Sequence, residues 1–307
     1  MRVLISGTSG FIGRSLVERL EGDGATVHRL VRKTPSPGEA RIDLSAHRLD
    51  LDQLPGASLS GIDAVFHLAG EAITPIRWSP AKRERIRASR VTSTDILSRA
   101  IARCDHPPSV FVCASAVGFY GDQGDSELTE DAPAGTGFLA EVCRAWEAAT
   151  APARQAGVRV VNARTGIVVG KGGGALDAQI KLFQRGLGAR LGNGRQWMSW
   201  IALEDEVAAL MFAASTPRIK GPCNLSAPAP VRNLDWTRLL ASALGRRAVL
   251  RIPRSALRLA VGSQVTNEVL LASQRVIPRR LLDMGFNFSF SDVERAIANC
   301  LGETPED

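Results

Sequence analysis

A chain of 307 residues, 45% hydrophobic and 22% charged, is long enough to bury a sizeable core and has the composition of an ordinary soluble globule. No stretch approaches the roughly 18 consecutive apolar residues of a membrane span, and Met1-Arg2-Val3-Leu4-Ile5-Ser6 runs at once into glycines, unlike a signal peptide. The formal net charge of +7 favours anionic ligands and raises nucleic acid as a possible partner.

The first predicted element is a strand over Val3–Ser6, followed by a helix over Phe11–Leu20. Between and within them Gly7, Gly10 and Gly13 stand in a GxxGxxG spacing. The first glycine of such a trio makes a tight turn. The second lets the backbone approach a pyrophosphate, and the third lets the helix pack close to the strand. The helix N-terminus then offers free N–H groups and a partial positive charge to the phosphates. A lone trio is weak evidence; here it follows an apolar strand and opens an amphipathic helix, the setting that dinucleotide binding requires.

The second strand, Thr26–Val31, runs into Arg32-Lys33. An NAD site usually has a carboxylate about 20 positions beyond the glycines, bound to the ribose 2′-hydroxyl. Two cations in its place suit a 2′-phosphate, so the expected cofactor is NADP.

A third strand covers Ala64–Ala69, and a long helix Lys82–Ala102 follows. The basic run Lys82–Arg90 lies on that helix. It reads as a solvated face, and no aromatic residues interleave with it, which disfavours nucleic acid as a partner. Next come a strand over Ser109–Ser115, a helix over Gly137–Ala156, and a strand over Arg159–Thr165 after the break at Gly157. This alternation implies right-handed βαβ units and an α/β, Rossmann-type doubly wound parallel sheet.

After Gly170 the texture changes to a glycine-rich stretch around a short helix. Helices at Glu204–Ser215 and Leu234–Leu244, a strand near Cys223–Ser226, a short strand at Ala248–Ile252 and a mostly helical tail ending in Asp292–Leu301 complete the reading. Residues 1–170 are expected to form the dinucleotide-binding domain, with a strand returning to it at about 221–227. Residues 171–307 are expected to form a smaller, mostly helical lobe on the substrate side, with the last residues, 303–307, frayed. Five scattered cysteines without a CxxC pair, and four histidines without ligand-like spacing, argue against a disulfide framework or metal site and for a reducing, cytoplasmic compartment.

These motifs resemble the extended short-chain dehydrogenase/reductase superfamily. The carriers are the opening glycines, "FHLAG" at Phe66–Gly70 and "ASAVGFYGD" at Ala114–Asp122. "LAGEAI" (Leu68–Ile73), "SRVTST" (Ser89–Thr94), "FLAEVCRAWE" (Phe138–Glu147), "RTGIVVGKGGGAL" (Arg164–Leu176), "WMSWIALED" (Trp197–Asp205) and "LLASQRVIPRRLLDMGFNF" (Leu270–Phe288) narrow it. Together they are similar to an epimerase family that includes bacterial YfcH-type and human SDR39U-type proteins, with a small C-terminal domain. The resemblance implies cofactor contacts from Gly7, Thr8, Ser9, Gly10, Phe11, Ile12, Gly13, Arg32, Lys33, Leu68, Ala69, Gly70 and Ser115. A histidine that the family usually has ahead of the acidic pair is Ala202 here.

Most members of the superfamily use a tyrosine as acid/base and, four residues on, a lysine on the same helix face that lowers its pKa and binds the nicotinamide ribose. Aligning Phe138–Glu147 with that helix places Leu139 at the tyrosine and Cys143 at the lysine, and Tyr120 is the only tyrosine in the chain. The remaining candidates for proton transfer are Ser115, matching the serine that binds a substrate hydroxyl or carbonyl, Tyr120, which either reaches the pocket or packs its loop, and Glu71, either a base or a cap for the next segment. Cys143 is either an exchangeable thiol or core. Arg164, Lys171 and Arg195 are expected to flank a small polar or anionic substrate, with Gly192–Trp200 as a wall or lid. Two functions remain open: an NADP-dependent oxidoreductase, by resemblance a nucleoside-diphosphate-sugar epimerase-like enzyme with a non-standard site, or a non-catalytic NADP(H) sensor or scaffold.

Overall fold

The computed structural model describes residues 1–73 and 77–302; the expected frayed end at 303–307 lies outside them. The strands in chain order are β1 (Arg2–Ser6), β2 (Thr26–Val31), β3 (Glu39–Asp43), β4 (Arg48–Asp50), β5 (Ala64–His67), β6 (Val110–Ala116), β7 (Glu127–Leu128), β8 (Arg159–Thr165), β9 (Ile167–Val169), β10 (Ala189–Leu191), β11 (Trp197–Met198), β12 (Trp200–Ala202), β13 (Gly221–Leu225), β14 (Val231–Arg232), β15 (Leu250–Ile252) and β16 (Arg275–Val276). The helices that matter below are α1 (Phe11–Gly22), α2 (Pro80–Ala88), α3 (Val91–Ala102), α4 (Phe138–Ala148), α5 (Ala151–Gln155), α6 (Gly174–Gln184) and α7 (Leu203–Ser215).

One eight-stranded sheet runs β13-β8-β6-β5-β1-β2-β3-β4. All its pairings are parallel except β3 with β4 at the edge. From β1 the chain builds outward to β4, then returns to β5 on the other side of β1. The strand order reverses between β1 and β5, and in open α/β sheets the crevice beyond the carboxyl ends of the strands at that point is where ligands bind.

Alternation along β1 shows why both faces are covered. Val3 and Ile5 pack with Leu16, Val17 and Leu20 of α1 and Leu210 of α7, while Leu4 packs on the opposite face with Ile96, Leu97 and Ile101 of α3 and Trp146 of α4. A third cluster, with Val169, Leu176, Trp200 and Trp236, lies in the second half of the chain. There β12 pairs in parallel with β9, and β13 joins the large sheet beside β8.

Two expected long helices are each broken in two. Lys82–Ala102 divides into α2 and α3 at Ser89-Arg90. The side chains of both donate to the Ile86 carbonyl, at 3.1 and 3.2 Å, and end the first helix there. Gly137–Ala156 divides into α4 and α5 because Pro152 lacks an N–H and its ring crowds the carbonyl of Ala148, the last residue of α4. The edge strands β3 and β4 carry too few apolar residues to stand out in the sequence.

Candidate functional site: the crevice at the carboxyl ends of the strands

The turn after β1 is made by Gly7 at φ +76°, and Gly10 N–H donates to Gly7 O at 2.9 Å. A Cβ on Gly7 would lie 2.9 Å from Ala69 N, and one on Gly13 would lie 2.1 Å from Gly7 O. Both glycines are therefore required by neighbouring backbone. Gly10 differs: it has φ −77°, and a Cβ there would meet only Gly7 O, at 3.1 Å. The absence of any side chain at this position, and an α1 N-terminus that no side chain caps, fit a pyrophosphate held by backbone N–H groups. Thr8, Ser9 and Ile12 lie in the same turn and first helical turn. The ring of Phe11 faces glycines of the second half: a Cβ on Gly173 would lie 2.6 Å from it, and ones on Gly170 and Gly174 3.0 Å.

A buried relay that the sequence did not disclose braces this turn. Ala69 N–H donates to Ser6 Oγ at 3.1 Å, Ser6 Oγ lies 2.7 Å from His67 Nδ1, and His67 Nε2 lies 2.9 Å from Ser93 Oγ. Ser93 Oγ gives its own proton to Ser89 O at 2.7 Å. It must therefore accept from His67 Nε2–H, which leaves Nδ1 to accept from Ser6. Burial pushes the His67 pKa down to about 4, in keeping with this neutral, singly protonated ring. The relay ties the end of β1 to Leu68-Ala69-Gly70 and to α3.

Arg32 and Lys33 follow the end of β2; both are exposed and, among the described residues, make no ion pair or hydrogen bond. They stand on the β2 side of the glycine turn.

On the other side, at β6, the candidate acids are all engaged. Ser115 Oγ donates to Glu147 Oε1 at 2.7 Å. Its one proton is thus spent, and Ser115 is left to accept from a substrate hydroxyl, not to donate to a carbonyl. Glu147 is paired bidentately with Arg164, Nε to Oε1 at 2.8 Å and Nη2 to Oε2 at 2.9 Å; Arg164 is buried and Glu147 partly so. Arg164 also donates to Tyr120 Oη at 2.9 Å and stacks 3.5 Å over Phe119. Tyr120 Oη in turn donates to Asn224 Oδ1 at 2.6 Å.

These contacts choose between the alternatives left open for Tyr120, Glu71 and Cys143, and they correct the expectation for Arg164. Tyr120 is wholly buried and burial pushes its pKa up to about 12, so it packs its loop and offers no acid to the crevice. Arg164 serves Glu147 and is closed to a substrate anion. Glu71 pairs with Lys82 at 2.7 Å, and that hydrogen bond holds its carboxyl below the usual range, which makes it a poor base. Burial pushes the Cys143 thiol up to about 12, so it is inert. Positions 139 and 143 do face the turn after β6, since a Cβ on Gly118 would meet Leu139 Cβ at 3.6 Å and Cys143 Sγ at 3.9 Å.

Of the wall and lid alternatives for Gly192–Trp200, the geometry matches a wall, since Gly192–Gln196 line a groove. Trp200 is fully buried in β12, as is Ala202, whose small side chain leaves no titratable group there. Arg195 lines a groove of about 690 Å³ with Asp122, Asp125, Arg232, Arg251 and Arg254, away from Ser115. Lys171 is exposed just before α6. No helix among the described residues is long and apolar enough to cross a membrane.

Comparison with known proteins agrees with this architecture. Residues 252–300 match a domain of unknown function (DUF1731). An epimerase family protein of Mycobacterium tuberculosis is 45% identical over 295 residues, 96% of each chain. The crystal structure of the human epimerase family protein SDR39U1 with NADPH superposes with a TM-score of 0.88 at 33% identity, covering 98% of this chain and 99% of that one. A nucleoside-diphosphate sugar epimerase from Corynebacterium glutamicum gives 0.81 at 38% identity; it covers all of this chain, which spans 59% of its length. With residues 3–224 matching its sequence pattern and the sheet, glycine turn and strand order described above, the chain belongs to the NAD dependent epimerase/dehydratase family.

Proposed function

We propose that the protein binds NADP(H) across the carboxyl ends of its strands and acts as an atypical short-chain dehydrogenase/reductase, an epimerase-like oxidoreductase of small polar or anionic metabolites. The carrying observation is the pair of unpartnered, exposed cations Arg32 and Lys33 beyond β2, next to a glycine turn at the N-terminus of α1 that no side chain caps. The NADPH in the human relative's crystal structure supports the same reading. Nicotinamide supplies hydride transfer when bound. The chain supplies backbone N–H groups for the pyrophosphate, cations for the 2′-phosphate, and Ser115 as acceptor for a substrate hydroxyl, with Glu147 and Arg164 fixing its orientation.

A second reading, an NADP(H)-responsive protein without turnover, draws on one specific observation: every ionisable candidate near Ser115 is locked in an internal pair or buried neutral. Titration of nicotinamide fluorescence should give NADPH binding at least tenfold tighter than NADH. Two charge-assisted contacts of about 1.5–3 kcal/mol each more than cover the roughly 1.4 kcal/mol required. Replacing Arg32 and Lys33 by alanine should remove most of the preference, and equal dissociation constants in the parent would overturn the cofactor assignment. Steady oxidation of NADPH with a panel of carbonyl compounds and sugar nucleotides separates the enzyme from the sensor.

A further inference from the structure

The lysine expected on α4 would have brought a cation to the nicotinamide half of the crevice. Cys143, in its place, is a buried neutral thiol. A different cation lies beside it. Arg90, at the junction of α2 and α3, has its Nη1 fixed by the carbonyls of Glu71, at 3.0 Å, and Ile86, at 3.2 Å. Its guanidinium carbon stands 5.1 Å from the centroid of the Trp146 ring on α4. A Cβ on Gly70 would come within 3.2 Å of that carbon and 3.3 Å of Nη2, so glycine at 70 is what admits the guanidinium to the end of β5. Among the described residues Nε and Nη2 have no hydrogen-bond partner, and neither is sealed from solvent. The positive charge partly offsets the rise that burial and Glu147 impose on Cys143.

Sheet order decides which half of a dinucleotide this charge serves. Arg32 and Lys33 stand beyond β2 on one side of β1, whereas Gly70 follows β5 on the other side, next to β6 and Ser115. With the 2′-phosphate held at β2 and the pyrophosphate at β1, the nicotinamide half must run toward β5 and β6.

We infer that Arg90 replaces the absent lysine: its free Nε and Nη2 donors bind the ribose on the nicotinamide side of the cofactor, from a helix junction and not from α4. The inference rests on the NADP(H) reading above. Arginine suits the place because it stays charged even where burial lowers its pKa, and its fixed fork leaves two donors unspent after Nη1 is engaged.

The test compares two ligands, NADPH and 2′,5′-ADP, which lacks the nicotinamide half. Arg90→Met, which keeps the stem against Trp146, should weaken NADPH by roughly tenfold or more, the scale of a lost charge-assisted contact. It should leave 2′,5′-ADP binding within about twofold. Arg90→Lys should recover part of the NADPH loss. If both ligands weaken together in both variants, Arg90 only holds the loop after β5 in place, and the inference fails. If neither weakens, it fails as well. A parent protein that binds neither ligand overturns the NADP(H) reading itself, and the inference with it.

Discussion

The two ends of the crevice are built from different material. At β1 the turn is backbone against backbone: Gly7 and Gly13 are each confined by a main-chain neighbour, and the one polar side-chain system, Ser6–His67–Ser93, lies beneath the turn. At β6 and β8 the work is done by side chains, with Ser115, Glu147, Arg164, Tyr120 and Asn224 in one buried chain of bonds. A backbone site tolerates little change in its glycines but places few demands on the rest of the sequence. A side-chain network ties up the groups that could do chemistry, which is why the crevice combines a well-formed cofactor turn with a Ser115 whose neighbouring carboxylate, Glu147, is already paired.

The largest effect should come from the backbone end. Gly13→Ala puts a methyl 2.1 Å from Gly7 O, a clash of the Cβ with a main-chain oxygen that no rotamer relieves, so little folded protein is expected on expression and circular dichroism. Gly10→Val should instead fold and lose NADPH binding, because its side chain takes the pyrophosphate's space. A folded Gly13→Ala protein, or a Gly10→Val protein with unchanged NADPH affinity, would break the distinction between the two glycines.

Next is the side-chain end. Glu147→Gln keeps the shape but leaves Arg164 buried without its counter-charge, and breaking such a pair costs about 3–5 kcal/mol. Urea titration should show that loss. Affinity for 2′,5′-ADP at the far end should survive in conditions where the variant is folded. A loss under 1 kcal/mol would mean that water or Tyr120 takes up the charge.

The two ends should also respond to pH with opposite sign. Glu206 on α7 accepts from the Thr165 hydroxyl at 2.8 Å at the end of β8; its other oxygen has no partner, and burial pushes its pKa from 4.5 to about 8. Between those values the folded chain keeps a proton that the unfolded chain has released, so stability falls as pH rises through the window, at about 1.4 kcal/mol per pH unit. His67 is the reverse. Its pKa drops from 6.5 to about 4, so the unfolded chain gains a proton that the folded one refuses, and stability falls as pH drops through that window. Between 4.5 and 6.5 the two effects oppose. Above 6.5, of this pair, only Glu206 acts, and the loss from pH 6.5 to 8 measured by urea titration should vanish in Glu206→Gln. The same loss persisting in that variant would assign it to another group.

Much of the β1 end was legible in the sequence. Glycine spacing, an apolar strand and a missing carboxylate are local features, and a turn built from backbone obeys local rules. β2 and β8 fell where alternation placed them for the same reason. The β6 end was legible only as a list of residue types. Tyr120 and Glu71 qualified as acids by position in the chain, yet the atoms that disqualify them belong to Asn224 and Arg164, and to Lys82. Arg90 sat in a run of cations that looked solvated, because nothing in "KRERIRASR" tells that a break at Ser89 turns one guanidinium toward Gly70.

By itself the sequence determined a parallel doubly wound sheet, a dinucleotide turn, the cations at the end of β2 and the absence of a tyrosine–lysine pair, since each is carried by period, spacing or residue identity. Only the tertiary structure decided which side chains remain available for chemistry. That depends on burial and on partners 17 to 104 positions away, such as Arg164 for Glu147 and Asn224 for Tyr120, and such partners are set by how helices and strands pack, which no local pattern encodes.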